Sequence, residues 1–335
     1  MVTRISALDP VISSTKVSAG PEWHCPIHRR QIKDKGDVLV CPGGDCFPRR
    51  NGIPRFVTDS KYTGAFGAQW KKYKRTQLDS YTQTTITGDR ARRCLGEELW
   101  AGLTGKQVLE CGCGAGRFTE ILLGKGAYVT SIDLSEAVDA NQENFPQDET
   151  HRIAQADILH LPFAPQQFDV VFCLGVIQHT PSPEKTMACL YDQVKPGGTL
   201  VIDHYTHSLS WYTKTAPLFR RYFRRLPPDK GIRYTEWLVN MLWPLHRMAR
   251  HFYPAQMLLS RLSPLLCYYR AYPDLSDELH REWALLDTHD SLTDWYKHFR
   301  TQRQIRRTLE RLGLQEIWCH YGGNGVEARG RRPSP

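Results

Sequence analysis

The stretch 108–118, VLECGCGAGRF, constrains the fold more than any other part of this 335-residue chain. A short apolar run over 107–111 meets glycines at 112, 114 and 116, and a helical pattern then runs over 116–123. Glycines in a strand-to-helix turn let the backbone bend sharply and pass close under a ligand. Free N–H groups at the helix start then face that ligand. The next apolar run, 128–132, ends at Asp133, where a carboxylate is placed to accept hydrogen bonds from both hydroxyls of a nucleoside ribose. AQAD follows and closes on Asp157. FDVVFCLGVIQH then leads into a loop holding His179, and QVKPGG turns tightly into a further strand.

The periodicities around these landmarks alternate. Strands are expected over 107–111, 128–132, 153–156, 168–174 and 198–204, with helices over 116–123, 135–144 (Ser135 as N-cap) and 183–194. A helix over 302–312, stopped by Gly313, precedes a closing strand pair over 314–320 and 325–329. Repeated β-α-β units imply an α/β fold with a doubly wound parallel sheet covered by helices. The chain therefore divides into a mobile tail (1–20), a cysteine-bearing module (21–57), a partly helical connector (58–105, with a helix over 89–100), an α/β domain (106–204 and 291–331), and a helical insertion (205–290).

These motifs, in this order, resemble a class I S-adenosylmethionine-dependent methyltransferase, strongly over 107–204 and again in the closing hairpin. The resemblance implies a Rossmann-like seven-stranded sheet and S-adenosyl-L-methionine as cofactor. It assigns the loop Glu110, Cys111, Gly112, Gly114, Gly116 and Arg117 to the methionine end of that cofactor. Asp133 then holds the ribose, Leu134, Asp157 and Ile158 border the adenine, and Leu174 and Gly175 end a strand beside the methyl group. Glu110 argues against a dinucleotide dehydrogenase, because an acid there repels a pyrophosphate.

In the module, Cys25 and His28 are spaced C-x2-H, Cys41 and Cys46 C-x4-C, with 12 residues between the two pairs. Soft and imidazole ligands at that spacing suit a tetrahedral, structural zinc, and His24 is a substitute ligand. The hydrophobic runs here are too short for an independent core, so the metal is expected to hold the segment together. The segment resembles the small zinc-ribbon-like module that precedes some methyltransferase domains, including the NGIPRF strand at 51–56. His28 stands where cysteine is usual.

The formal charge of +9 has a single source. Residues 205–272 hold eleven Lys and Arg against Asp229 and Glu236, so the rest of the chain balances. Arg220, Arg221, Arg224 and Arg225 read as a cationic stripe on one helix, interleaved with Trp211, Tyr212, Phe219, Trp237 and Trp243. Such a segment suits a lid over the site, taking an anionic, apolar or lipid-linked small molecule at an interface, or RNA stacked on its aromatics. His179, His204 and Tyr205 are the candidate catalytic groups, and His207 also follows the fifth strand. The stretch 287–296 resembles one that precedes the last helix in small-molecule methyltransferases, which implies that Asp290 or Tyr296 shapes the acceptor pocket.

The leading expectation is a methyltransferase acting on a small molecule at O, N or C: a quinone, lipid-linked compound or secondary metabolite. An RNA base methyltransferase is the alternative. It is disfavoured because Leu174-Gly-Val-Ile stands where amino-group methylases carry an N/D-PPY tetrapeptide. A non-catalytic binder of the cofactor is a second alternative, disfavoured by the intact Glu110, Gly112, Gly114 and Asp133. No basic start followed by an apolar core reads as a secretory signal, and no run of about 18 apolar residues reads as a transmembrane segment. Ten irregularly spaced cysteines in so long a chain suggest a reducing, cytoplasmic setting.

Overall fold

A computed structural model describes residues 20–57, 64–208 and 213–334. Most of the expected tail, the first residues of the connector, and Trp211 and Tyr212 of the insertion lie outside them. The module is a four-stranded antiparallel sheet in the order β1 (Lys33–Asp34), β2 (Val38–Val40), β3 (Cys46–Arg50), β4 (Ile53–Pro54). The connector forms short helices α1 (Gly64–Lys72), α2 (Asp79–Thr82), α3 (Ile86–Leu95) and α4 (Glu97–Ala101). The single helix expected over 89–100 is broken because Gly96 sits at φ +77°.

The main sheet takes β5 (Gln107–Cys111), β6 (Tyr128–Asp133), β7 (His151–Gln155), β8 (Phe168–Cys173) and β9 (Val194–His204) as a parallel set. The hairpin β10 (Gln315–Gly322) and β11 (Gly325–Arg331) completes it, with β11 antiparallel to β9. The order β10-β11-β9-β8-β5-β6-β7 is the expected seven-stranded, doubly wound sheet. Helices α5 (Arg117–Gly124), α6 (Ala137–Asn144), α7 (Pro183–Gln193) and α12 (Gln302–Arg311) connect the strands and bury Val, Leu, Ile and Phe on both faces of the sheet. The order reverses between β5 and β8, so the loops leaving those two strands diverge and open a crevice.

The insertion supplies α8 (Ala216–Phe223), α9 (Pro228–Ala249), α10 (Tyr253–Leu262) and α11 (Asp277–Thr293). Its last helix runs across the expected boundary at 290. Phe223, Leu238, Val239, Trp243, Leu265 and Leu285 give these helices a core of their own. The module, by contrast, shares the core of the sheet. Trp23 stacks on Phe163 with centroids 5.1 Å apart, and the Phe56 N–H donates to the Gln155 carbonyl at 2.8 Å. Buried Arg55 pairs with Asp139 at 2.6 Å. Packing against the edge strand β7 thus supplies the stabilisation that short hydrophobic runs lack on their own. Among the described residues no helix is long and apolar enough to cross a membrane.

Candidate active site

The chain leaves β5 through Gly112 at φ +74° and Gly114 at φ +52°. A Cβ on Gly112 would stand 2.2 Å from Val176, so glycine is required where the loops from β5 and β8 meet. Beneath this turn the buried Glu110 accepts the Thr119 hydroxyl at 2.6 Å and the Ser131 hydroxyl at 2.7 Å. Burial pushes its carboxyl up to about 7 despite those donors, and the Asp133 charge adds to the rise.

Asp133, at the end of β6, accepts the Gly114 N–H at 3.0 Å and the Ser135 N–H and hydroxyl at 2.8 and 2.7 Å. Its carboxyl is therefore tied to the glycine turn, while burial raises its pKa. Ser135 both holds this acid and, as expected at the start of α6, accepts the Ala137 N–H on its hydroxyl at 3.2 Å, with Glu136 as the boundary residue of the helix. Asp157 ends β7's continuation and caps the next turn through the Leu159 N–H at 2.9 Å.

These loops form one side of a cavity of about 860 Å³. Of the residues expected at a cofactor, Gly112, Gly114, Arg117, Asp133, Leu134, Asp157, Ile158, Leu174 and Gly175 line it. Glu110, Cys111 and Gly116 stand behind that surface; Glu110 supports the turn rather than facing the cavity.

The opposite side comes from the connector and the insertion. Arg117 donates to the Thr87 hydroxyl at 3.0 Å and to Gln77 Oε1 at 3.1 Å, and its guanidinium lies 5.4 Å from the Phe118 ring and 5.6 Å from the Trp283 ring. Burial lowers it to about 10, which leaves it charged at neutral pH. Gln77 passes its amide N–H to Asp287 at 3.1 Å, and Tyr268 and Tyr272 complete this wall. Asp290 lines the cavity one turn further along α11, its carboxyl pushed up to about 6 chiefly by burial. Tyr296 is not among the lining residues.

The three catalytic candidates part company. His179 is buried on the cavity wall; its Nδ1 donates to the Tyr296 carbonyl at 3.1 Å and lies 3.2 Å from Asp294 Oδ2. Burial lowers its pKa, but Asp294 more than offsets that, so the net direction is up. Tyr205 packs edge-on to His179 at 5.3 Å, and burial holds its phenol proton well above the usual range. His204 does not line the cavity. Its Nδ1 donates to the Tyr205 carbonyl at 2.8 Å and burial drives it down to about 4. The physical reason is strand alternation: of its chain neighbours, Tyr205 lines the cavity, and Asp203, buried behind the wall, accepts the Gly175 N–H at 2.6 Å while pairing with Arg90.

In the module, the ligand atoms of Cys25, His28, Cys41 and Asp45 all lie within 4.8 Å of one another. The Cys25 sulfur is 3.8 Å and the Cys41 sulfur 3.6 Å from His28 Nδ1, which is 2.8 Å from Asp45 Oδ2. Backbone N–H groups of His28 and Gly43 point at the two sulfurs at 3.4 and 3.2 Å. Cys46, expected as the fourth ligand, is exposed and lies outside the group, as does His24. β3 begins at Cys46, and its extended backbone turns that side chain away while Asp45, in the preceding turn, faces in.

Residues 109–202 match the family model described as a methyltransferase domain. The chain carries a class I S-adenosylmethionine-dependent methyltransferase domain. Within it, 100 residues are 40% identical to the ubiquinone biosynthesis O-methyltransferase of Pseudomonas entomophila strain L48, covering 29% of this chain and 43% of that protein. A second enzyme of that name, from Pseudomonas putida strain GB-1, is 39% identical over 101 residues, 29% of this chain and 44% of the relative. The chain thus spans less than half the length of these relatives. The magnesium protoporphyrin IX methyltransferase of Synechocystis PCC 6803, solved with S-adenosylhomocysteine, superposes with a TM-score of 0.43 at 15% identity, over 81% of this chain and 96% of that one.

The methyltransferase motifs account for one wall of the cavity only. Gln77, Arg90, Tyr268, Trp283, Asp287 and Asn324, on the other wall, come from segments as far apart in sequence as Gln77 and Asn324, with no shared spacing. Of these, Asp287 was signalled in the sequence by the stretch 287–296, and Tyr268 as one of the aromatics of the insertion expected to form a lid.

Proposed function

We propose that this chain transfers a methyl group from S-adenosyl-L-methionine to a small molecule held between the sheet and the inserted helices. The observation that carries the reading is the cavity itself. Its floor is the glycine turn with Asp133, Leu134, Asp157 and Ile158, and its roof is the aromatic wall of Tyr268, Tyr272 and Trp283. The residues fit the cofactor. Asp133 offers a carboxylate to ribose hydroxyls, Leu134 and Ile158 offer apolar surface to adenine, and the acids Asp133 and Asp157 on this floor disfavour a phosphate chain. When bound, the cofactor supplies an electrophilic methyl on a sulfonium, whose sulfur keeps the electron pair as the methyl leaves.

His179 is the group we assign as general base. Tyr296 and Asp294 hold its Nδ1, which leaves Nε2 as the nitrogen with a free lone pair on a residue that lines the cavity. It takes the proton of an acceptor hydroxyl as the oxygen bonds to the methyl. Tyr205 and Phe66 brace the ring edge-on. The aromatic roof of Tyr268, Tyr272 and Trp283 over the cavity favours a small acceptor over a polynucleotide, and the relatives named for ubiquinone biosynthesis support a hydroxyl acceptor.

Cys25, His28, Cys41 and Asp45 are assigned as a structural zinc site, with all four positions filled by protein and the two backbone N–H groups stabilising thiolates. Incubation with tritiated S-adenosylmethionine, catechol-type phenols and total RNA, with products separated by chromatography, tests the activity. Label in the phenol that disappears in His179→Ala supports the reading; label appearing only in RNA would overturn it.

A further inference from the structure

The outer face of the inserted helices carries an apolar stripe that the described residues leave exposed. Along α9, Tyr234, Trp237, Met241, Leu245 and Met248 recur every three or four residues and so lie on one line of the helix. Trp237 is 63% and Met248 79% exposed, although the same helix buries Ile232, Leu238, Val239 and Trp243 on its inner side. Leu258 and Leu262 on α10, one turn apart, extend the surface at 59% exposure each, and Leu218 and Tyr222 on α8 repeat the pattern. Exposed apolar residues scattered singly need no explanation, but aligned ones on three successive helices do.

The charges beside this surface identify its occupant. Arg221, Arg225, Lys230 and Arg233 are exposed and pair with no carboxylate among the described residues. Other cations of the same segment are paired within the fold: Arg220 with Asp294, and Arg247, itself exposed, and Arg250 with Asp277. A second copy presenting the same face would bring these cations against each other. RNA would satisfy the arginines but gains nothing from a line of Met and Leu side chains. An anionic lipid surface satisfies both. Its headgroups meet the arginines, aliphatic side chains enter the acyl boundary, and Trp237, Tyr222 and Tyr234 sit at headgroup depth.

We propose that the outer face of α8, α9 and α10 docks the protein on an anionic bilayer. Docking does not depend on the methyl-transfer reading. Joined to it, docking supplies an apolar acceptor from the membrane, because the chain leaving α10 turns directly into the cavity wall at Leu266 and Tyr268.

Co-sedimentation of the full chain with extruded vesicles tests this. With about 30% phosphatidylglycerol in phosphatidylcholine, each cation at the surface strengthens partition about fivefold. The chain is therefore expected to sediment with those vesicles and far less with pure phosphatidylcholine. Raising salt from about 0.1 M to 0.5 M, or introducing Arg221→Glu with Arg225→Glu, lowers the bound fraction about tenfold or more. Trp237→Ser with Leu245→Ser does the same while leaving the circular dichroism spectrum of the parent unchanged. Failure of the parent to sediment with anionic vesicles overturns the proposal, as does equal sedimentation of the Trp237→Ser, Leu245→Ser protein. A dimer that this double variant dissolves assigns the face to a second copy and overturns it too; so does RNA retention without vesicle binding.

Discussion

Replacing Glu110 by glutamine isolates the energetic cost of the acid beneath the glycine turn. Glu110 is 2% exposed; one carboxylate oxygen takes two hydroxyl donors, and the other has no hydrogen bond among the described residues. Burial with incomplete solvation lifts its pKa from 4.5 to about 7. Below pH 4.5 the group is protonated in folded and unfolded chains alike and costs nothing. Between 4.5 and about 7 the unfolded chain gives up the proton while the folded one keeps it, so stability falls as pH rises. Above that window the penalty is constant, on the order of 3 kcal/mol for a shift of this size. Glutamine has nearly the same shape and cannot ionise. Urea unfolding of parent and Glu110→Gln, without cofactor, at pH 4.5 and pH 8 should show the variant gaining on the parent by about 3 kcal/mol across that range. Any constant offset from repacking the amide cancels in this comparison. A stability difference that is the same at both pH values would refute the reasoning.

The remaining expectations concern the two candidate sites. His179→Ala should lower kcat by about a hundredfold or more, the usual scale of general-base catalysis, with little change in cofactor KM. Because Asp294 raises the His179 pKa above 6.5, the parent's rate should climb with pH through a limb above that value, and Asp294→Asn should move the limb to lower pH. Asp133→Ala should weaken S-adenosylhomocysteine about tenfold or more, roughly 1.4 kcal/mol, by isothermal calorimetry. Atomic emission should find zinc near stoichiometry in the parent, loss of it in Cys41→Ser and Asp45→Ala, and retention in Cys46→Ser; loss in Cys46→Ser alone would reverse the ligand assignment.

The sheet was legible because its strands are nearly continuous apolar runs, each closed by a glycine or an acid at the edge of the crevice, as at Gly112, Asp133 and Gly175. Parity was not legible. Spacing offered Cys46 as a ligand and His204 as a catalytic group, yet Cys46 is exposed at the start of β3 while Asp45 before it joins the cluster, and His204 lies off the cavity while Asp203 beside it supports the Gly175 N–H. The arginine stripe was misread in the same way: Arg220 turns inward to Asp294 and Arg224 lies 5.6 Å from the Trp295 ring, so Arg221 and Arg225 are left facing out. The far wall of the cavity joins residues from the connector, the insertion and the closing hairpin. No local pattern marks such a meeting; it exists only once the chain has folded.

Titration of the purified chain with S-adenosylhomocysteine by isothermal calorimetry tests the central claim most directly. The cavity lined by the glycine turn, Asp133 and Ile158 predicts saturable binding at one site per chain that Asp133→Ala weakens. Absence of binding up to about millimolar ligand, a free energy no better than roughly −4 kcal/mol, would contradict it.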